Sequence, residues 1–212
     1  MINRSDAFIV IDMQRDFLDP GGYAATTGMD VGVLRRPIPF IRSLLDCARN
    51  SGMLVVHTRE GHRADLSDCL PAKLARSKQA GAEIGSKGPL GRLLVRGEYG
   101  HDFIAELQPL PGEPVVDKPG YGAFHQTDLA QILAAHGIRR LYLCGVTTEV
   151  CVHSTLREAA DRGFECVLVA DACGSAYPHL HEAALQMVVV EGGIFGRVAD
   201  TRVVITELEA EK

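Results

Sequence analysis

The sequence has 212 residues, enough for one well-buried domain, and no linker rich in Pro, Gly or Ser divides it. Hydrophobic residues make up 46% and charged residues 23%, a composition that excludes an intrinsically disordered chain. The net charge of −5 and the scattered basic residues argue against nucleic acid, and no apolar run approaches the roughly 20 residues of a membrane helix. We therefore expect one domain over residues 1–212, with neither nucleic acid nor a membrane as partner.

The cysteines form neither a C-x-x-C pair nor a zinc framework. They occur at positions 47, 69, 144, 151, 166 and 173. The polar opening from Met1 to Asp6 leads directly into a strand-like run, so we expect no secretory leader. Together these features predict reduced thiols in a cytoplasmic protein.

Short apolar runs of strand length alternate with longer amphipathic stretches along the chain. The predicted strands are Ala7–Met13, Met53–Thr58, Pro114–Asp117, Leu141–Gly145, Cys166–Ala170 and Arg202–Thr206. The predicted helices are Val33–Asn50, His101–Leu107, Thr127–His136, Glu149–Arg162 and His179–Glu191. This alternation predicts an α/β fold with a parallel sheet between helices.

The stretch from Gly61 to Gly100 has weak periodicity and is rich in Gly, Lys and Arg. It is expected to be a long excursion over the sheet edge, suited to a lid or to subunit contacts. In open α/β sheets, ligands bind beyond the carboxyl ends of the strands. Polar residues at those ends are therefore the first candidates for chemistry.

Asp12 lies near the end of the first predicted strand, and Lys118 directly follows the third. Asp12 is either a turn or helix-capping residue or a buried carboxylate that needs a partner. Lys118 is either a solvated loop lysine or a cation at the carboxyl edge of the sheet. Sequence position alone leaves both alternatives open.

Cys151 is the best placed of the thiols for reaction. It follows the run Gly145–Val150 in the first turn of a predicted helix, where free N–H groups and the helix dipole favour a thiolate. A neighbouring carboxylate could take the thiol proton, and a lysine would stabilise both anions. The N–H groups of Thr147 and Cys151 could then hold an oxyanion.

These residues also resemble a known family, the isochorismatase-like cysteine hydrolases. Three segments carry the resemblance in the order of the family: Asp12-Met13-Gln14 with Asp16-Phe17, Lys118 with Gly122-Ala123-Phe124 and Thr127, and Gly145-Val146-Thr147-Thr148-Glu149-Val150-Cys151-Val152. The resemblance covers nearly the whole chain, from about Phe8 to Val204.

The resemblance implies a Rossmann-like three-layer α/β/α fold with a mainly parallel six-stranded sheet. It implies a catalytic triad of Asp12, Lys118 and Cys151 and a non-proline cis peptide between Val146 and Thr147 beside the oxyanion hole. Such enzymes cleave a terminal C–N amide bond through a thioester and release ammonia. The resemblance further implies a homo-oligomer, often a tetramer, and no cofactor.

Further segments resemble the branch of the family that hydrolyses small ureides such as biuret and triuret. They are Thr58-Arg59-Glu60-Gly61-His62, Gly91 to Glu98 and Glu191 to Gly196. The alternatives are another small amide, such as an N-carbamoyl amine or a ureidoacrylate-type compound, and a non-catalytic interaction subunit. The nicotinamidase branch carries a metal site near the position of His62, but too few donors are present here, so no metal is expected.

Five residues are candidates for substrate binding: Phe17, Glu60, Tyr121, Phe124 and Glu191. Tyr121 and Glu191 stand where biuret-type members of the family have a lysine and a glutamine. An ionised Glu191 only accepts hydrogen bonds, which favours a donor-rich substrate such as guanylurea or triuret. Alternatively, Glu191 caps its helix and points away, and the two phenylalanines belong to the core.

Overall fold

A six-stranded sheet forms the centre of the structure, a computed structural model that describes residues 5–210. Its strands are β1 (Asp6–Ile11), β2 (Leu54–Glu60), β3 (Val115–Lys118), β4 (Arg140–Val146), β5 (Glu165–Gly174) and β6 (Arg197–Ala199). They are ordered β3-β2-β1-β4-β5-β6, and every neighbouring pair is parallel. The predicted parallel α/β sheet is confirmed.

Helices cover both faces of this sheet. The longer ones are α1 (Ile38–Asn50), α2 (Pro71–Gln79), α3 (Leu129–Ala135), α4 (His153–Asp161), α5 (Pro178–Val188) and α6 (Thr201–Ala210). Phe8 and Val10 of β1 pack in one core cluster with α1 and α6, whereas Ile9 and Ile11 pack in another with α3 and α4. Because alternate side chains of a strand point to opposite faces, β1 is apolar throughout and buried between two helical layers.

The prediction of a strand at Arg202–Thr206 is wrong. These residues belong to α6, and β6 is the edge strand instead. Val204 and Leu208 lie four residues apart and are both buried, which is the spacing of one helix face. The amide and hydroxyl of Thr201 each donate a 2.8 Å hydrogen bond to the Asp171 carboxylate at the start of this helix.

The predicted helices differ in their bounds from the helices of the structure, as three of them illustrate. The helix predicted at Val33–Asn50 begins at Ile38, after Pro37, and a separate turn precedes it. The helix predicted at His101–Leu107 is reduced to a short 3-10 turn at its end. α5 ends at Val188, and Glu191 beyond it has a left-handed φ of 53°.

The excursion from Gly61 to Gly100 contains α2 and a short antiparallel hairpin of Lys87–Gly88 with Gly91–Arg92. Its two ends are tied together where the His62 N–H donates to the Leu94 carbonyl at 2.8 Å. This arrangement brings α2 against the carboxyl end of β2. None of the helices within residues 5–210 has the length and apolar character needed to span a membrane.

Candidate active site

Four sequence positions converge where the central strands end. Asp12 follows β1, Glu60 is the last residue of β2, Lys118 is the last residue of β3, and Cys151 follows β4. Glu60 and Lys118 are direct neighbours in the pairing of β2 with β3. Because β2 and β4 flank β1, and all these strands are parallel, their terminal side chains share one edge of the sheet.

Asp12 and Lys118 form an ion pair inside the protein. The Lys118 Nζ atom lies 2.7 Å from Asp12 Oδ2, and both side chains are 0% exposed. The Thr58 hydroxyl donates to the other oxygen, Oδ1, at 2.6 Å. Burial raises the pKa of Asp12, while Lys118 opposes that rise. Burial alone would lower the pKa of Lys118, but the nearby anionic groups, Asp12 first, raise it. Both side chains therefore have the partners that buried charges need.

Glu60 lies at the centre of the site, although the sequence indicated only substrate binding for it. Its Oε1 atom is 2.7 Å from the Lys73 Nζ atom, and its Oε2 atom is 3.5 Å from Lys118 Nζ. Burial would raise the pKa of Glu60, but Lys118 and Lys73 lower it to about 2. Glu60 is therefore an ionised carboxylate held between two ammonium groups.

Cys151 contacts Glu60 directly. Its thiol donates to Glu60 Oε2 with an Sγ to oxygen distance of 3.2 Å. One oxygen of Asp12, one of Glu60 and the Cys151 sulfur all lie within 4.8 Å of one another. Burial raises the pKa of the Cys151 thiol well above its usual value, so the resting sulfur is protonated. The thiol thus has two carboxylates within reach.

The backbone before Cys151 forms a tight turn. The peptide between Val146 and Thr147 is cis, as the family resemblance implies. The N–H groups of Val150 and Val152 both donate to the Thr147 carbonyl at 3.2 Å, within the turn Thr148–Val152 that leads into α4. Thr147 and Cys151, the predicted oxyanion donors, both line the cavity beside the thiol.

This cavity has a volume of about 260 Å³, which suits a small substrate. Three of the five predicted substrate-binding residues line it: Phe17, Glu60 and Tyr121. Tyr23 and Arg76, which the sequence did not single out, line it as well. The buried Cys151 and the exposed Arg76 therefore share one cavity.

Phe124 and Glu191 are not brought to the cavity. Phe124 is 5% exposed, stacks on Phe164 at 5.9 Å between ring centroids, and lies under the Arg162 guanidinium. The interpretation of Phe124 as a core aromatic is therefore the correct one. Glu191 is an exposed residue beyond α5 and does not line the cavity. Within this chain, Glu191 is therefore not placed to select a donor-rich substrate.

α2 supplies two of the site residues that the sequence did not single out, Lys73 and Arg76. Lys73 pairs with Glu60, donates to the Pro119 carbonyl at 2.6 Å, and lies 4.9 Å from the centre of the Tyr121 ring. Arg76 follows three positions later and faces the same cavity. The sequence contains one signal for these two residues. Pro71 fits the first turn of a helix, and that helix carries Lys73 and Arg76 on one face.

The three close donor atoms of Asp12, Glu60 and Cys151 could in principle hold a metal ion. However, Lys118 contacts the carboxylates of both Asp12 and Glu60, and Lys73 contacts the second oxygen of Glu60. Ammonium groups thus occupy the positions where a cation would bind these oxygens. The arrangement is suited to proton transfer and nucleophilic attack.

Comparison with known proteins identifies the family of the chain. A family model described as the isochorismatase domain matches residues 6–203. Ureidoacrylate amidohydrolase RutB from Azorhizobium caulinodans is 34% identical over 200 residues, covering 92% of this chain and 88% of the relative.

Solved structures have the same fold. A cysteine hydrolase from Pseudomonas syringae pv. phaseolicola 1448A superposes with a TM-score of 0.84 at 26% identity, covering 100% of this chain and 96% of the other. N-carbamoylsarcosine amidase from Thermoplasma acidophilum gives a TM-score of 0.71 at 25% identity, covering 93% and 96%. The chain belongs to the isochorismatase family, and it is a hydrolase with the six-stranded α/β fold of that family.

Proposed function

We propose that this hydrolase, which acts on amide C–N bonds, uses Cys151 to cleave a small ureido carboxylic acid. Such a molecule carries a ureide group at one end and a carboxylate at the other. The observation that carries the proposal is the single cavity of about 260 Å³ that joins Cys151 to Arg76. The ureide group would lie at the thiol and the carboxylate at the guanidinium.

Arg76 is available for a ligand. It forms no ion pair or side-chain hydrogen bond with any residue from 5 to 210, whereas the neighbouring Lys73 is already paired with Glu60. A guanidinium group binds a carboxylate through two parallel hydrogen bonds. An exposed, unpaired arginine that lines a largely apolar cavity therefore favours an anionic substrate over a neutral or cationic one.

The relatives support the same substrate class. Ureidoacrylate and N-carbamoylsarcosine, named for two of them, each combine a ureido group with a carboxylate. Biuret and triuret are neutral, and guanylurea is cationic. The preference for guanylurea or triuret was inferred from Glu191, which does not line the cavity. We therefore rank these ureides below the ureido acids as substrates.

The reaction follows from the arrangement of the predicted triad. Asp12 accepts the thiol proton while Lys118 stabilises the charges, and the Cys151 sulfur attacks the ureide carbonyl. The N–H groups of Thr147 and Cys151 hold the oxyanion. Asp12 returns the proton to the terminal nitrogen, which leaves as ammonia. A water molecule activated by Asp12 then hydrolyses the carbamoyl thioester and restores the thiol.

The test is ammonia release by the purified enzyme across a substrate panel. The panel contains 3-ureidoacrylate, N-carbamoylglycine, biuret, triuret and guanylurea. We expect at least roughly 10-fold higher kcat/KM for a ureido acid, because a charge-assisted pair contributes about 1.5–3 kcal/mol. Arg76→Met should remove this preference by raising KM, whereas Lys78→Met on the same helix should not. Guanylurea or triuret as the best substrate would contradict the proposal.

We also propose that the protein forms a homo-oligomer in the cytoplasm. Support for assembly comes from exposed apolar side chains in and after α5: Met187, Val189, Val190 and Ile194 are 46–55% exposed. The free state of all the cysteines supports a reducing compartment. Light scattering of the purified protein measures the assembly, and a monomer would contradict it.

A further inference from the structure

The site contains a second lysine–carboxylate pair that the predicted triad does not use. Lys73 and Glu60 lie 2.7 Å apart, the same distance as Lys118 and Asp12. Lys73 is 6% exposed and Glu60 is 3% exposed, so the second pair is buried almost as completely as the first. Cys151 donates its proton toward the second pair, at Glu60 Oε2.

The second pair balances the charge of the site during the reaction. Two lysines and two carboxylates around a neutral thiol make a cluster with no net charge. When Asp12 takes the thiol proton, one carboxylate becomes neutral and the sulfur becomes negative, so the cluster stays neutral. Without Lys73, the same step would leave an ionised Glu60 beside the thiolate of Cys151 with one lysine for two anions. In a buried site that excess charge is costly.

Glu60 could instead be the base that takes the thiol proton, because it is the carboxylate in contact with the sulfur. The surroundings argue against this. Two ammonium groups hold the pKa of Glu60 at about 2, whereas burial raises the pKa of Asp12. Asp12 therefore has the greater affinity for a proton. An ionised carboxylate that does not accept the proton can only accept hydrogen bonds.

We propose that Glu60 stays ionised throughout the reaction and accepts a hydrogen bond first from the resting thiol and then from the terminal NH₂ group of the substrate. Lys73 is the positioning residue that keeps Glu60 ionised. This role rests on the proposed function, in which Cys151 attacks a ureide carbonyl. The substrate N–H takes the place of the S–H at Glu60 Oε2. The released thiol then gives its proton to Asp12, and the sulfur forms its bond to the carbonyl carbon.

The backbone supports a fixed position for Glu60. The Gln14 side chain accepts from the Glu60 N–H at 2.7 Å and donates to the Glu60 carbonyl at 3.0 Å. Gln14 also donates to the His101 carbonyl at 2.9 Å. With the backbone held by an amide and Oε1 held by Lys73, the Oε2 atom of Glu60 is fixed between Lys118 at 3.5 Å and the Cys151 sulfur at 3.2 Å.

The first experiment uses Glu60→Gln and two substrates. The substitution keeps the shape, but Lys73 would hold the amide oxygen and turn the amide NH₂ toward the sulfur. We expect kcat/KM for 3-ureidoacrylate to fall by roughly 10- to 100-fold. Hydrolysis of p-nitrophenyl acetate, which has no N–H, should be affected far less than hydrolysis of 3-ureidoacrylate. Alkylation of Cys151 by iodoacetamide should also become faster, because a neighbouring anion that disfavours the thiolate has been removed.

The outcomes separate this inference from the proposed function. If Glu60→Gln slows alkylation and ester hydrolysis together with ureide hydrolysis, Glu60 is the base and the inference is wrong. Equal activity of Glu60→Gln and the parent enzyme on 3-ureidoacrylate also overturns it. If iodoacetamide does not alkylate Cys151 in the parent enzyme, and the Cys151→Ser variant keeps its activity, the proposed function itself fails.

The second experiment tests the role of Lys73 and does not depend on whether Glu60→Gln folds. In Lys73→Met, the pKa of Glu60 rises because its nearest cation is gone. Burial raises the pKa of Glu60 and is opposed mainly by the two lysines, so the loss of Lys73 should bring this ionisation up into the measurable acid limb. Since catalysis needs ionised Glu60, the acid limb of the kcat/KM profile should then move to higher pH. Lys78→Met is the matched control, because Lys78 is exposed on the same helix and pairs at 3.5 Å with Glu83. An acid limb that does not move overturns the role of Lys73.

Discussion

The Nζ atom of Lys118 lies 2.7 Å from Oδ2 of Asp12, and neither side chain is exposed to solvent. The desolvation cost of such a pair can exceed its Coulombic attraction, so its presence is weak evidence for a stabilising role. Its position beside the Cys151 thiol gives it a chemical role instead. Removing one partner and removing both should therefore have different consequences for stability and the same consequence for activity.

Lys118→Met leaves the Asp12 carboxylate buried without its cation. We expect the free energy of unfolding near pH 7 to fall by about 3–5 kcal/mol. The double variant Asp12→Asn with Lys118→Met should recover much of that loss while remaining inactive. Urea unfolding followed by circular dichroism measures both. Equal stability of the single and double variants would show that the unpaired charge is not the cause.

Cys151→Ser replaces the thiol by a hydroxyl, a far weaker nucleophile at neutral pH. Ammonia release should fall by roughly 10³-fold or more, because the residues of a nucleophilic site act as a unit. Cys69→Ser is the matched control, since Cys69 is partly exposed and does not line the cavity. Retention of full activity by Cys151→Ser would refute the covalent mechanism.

Gly145→Ala should strongly destabilise the fold near the site. Gly145 has a φ of 120°, and an added Cβ would lie 2.0 Å from the Ile11 carbonyl oxygen in the neighbouring strand. We expect a loss of about 3 kcal/mol or more in the free energy of unfolding. Gly137→Ala, at a φ of 65° with open space around it, should cost about 1 kcal/mol. Similar losses for the two variants would contradict the role of close packing.

Asp16 makes stability depend on pH in a specific direction. Its side chain accepts from the Leu94 N–H at 2.9 Å, and burial raises its pKa to about 6. The folded state therefore holds this proton more tightly than the unfolded state. Protonated Asp16 therefore contributes about 2–3 kcal/mol to the free energy of unfolding. This contribution is complete below about pH 4 and is lost as the pH rises to about 6.

Asp16→Asn keeps an acceptor for Leu94 and removes the ionisation. We expect this variant to be more stable than the parent above pH 6 and to show a flatter stability profile between pH 4 and 6. Asp46→Asn is the control, because Asp46 is exposed on α1. Urea unfolding across this pH range measures the effect, and parallel profiles for parent and Asp16→Asn would contradict it.

Much of the fold could be predicted from local sequence. Apolar runs of strand length followed by amphipathic stretches indicated a parallel sheet, because a strand buried on both faces has no polar side. The last strand was predicted wrongly because a short segment such as Arg202–Thr206 fits either period. Val204 and Leu208 pack as one helix face only when the core beneath them is known.

The sequence by itself determined the residues that follow the central strands, because a parallel sheet delivers Asp12, Lys118 and Cys151 to one edge whatever the loops do. Only the tertiary structure decided what surrounds them. The path of the excursion brings Lys73 and Arg76 to the cavity, and the end of α5 leaves Glu191 outside it. The physical reason is that the strands and the residues at their ends follow from local periodicity, whereas the approach of a loop-borne helix depends on contacts between residues distant in sequence.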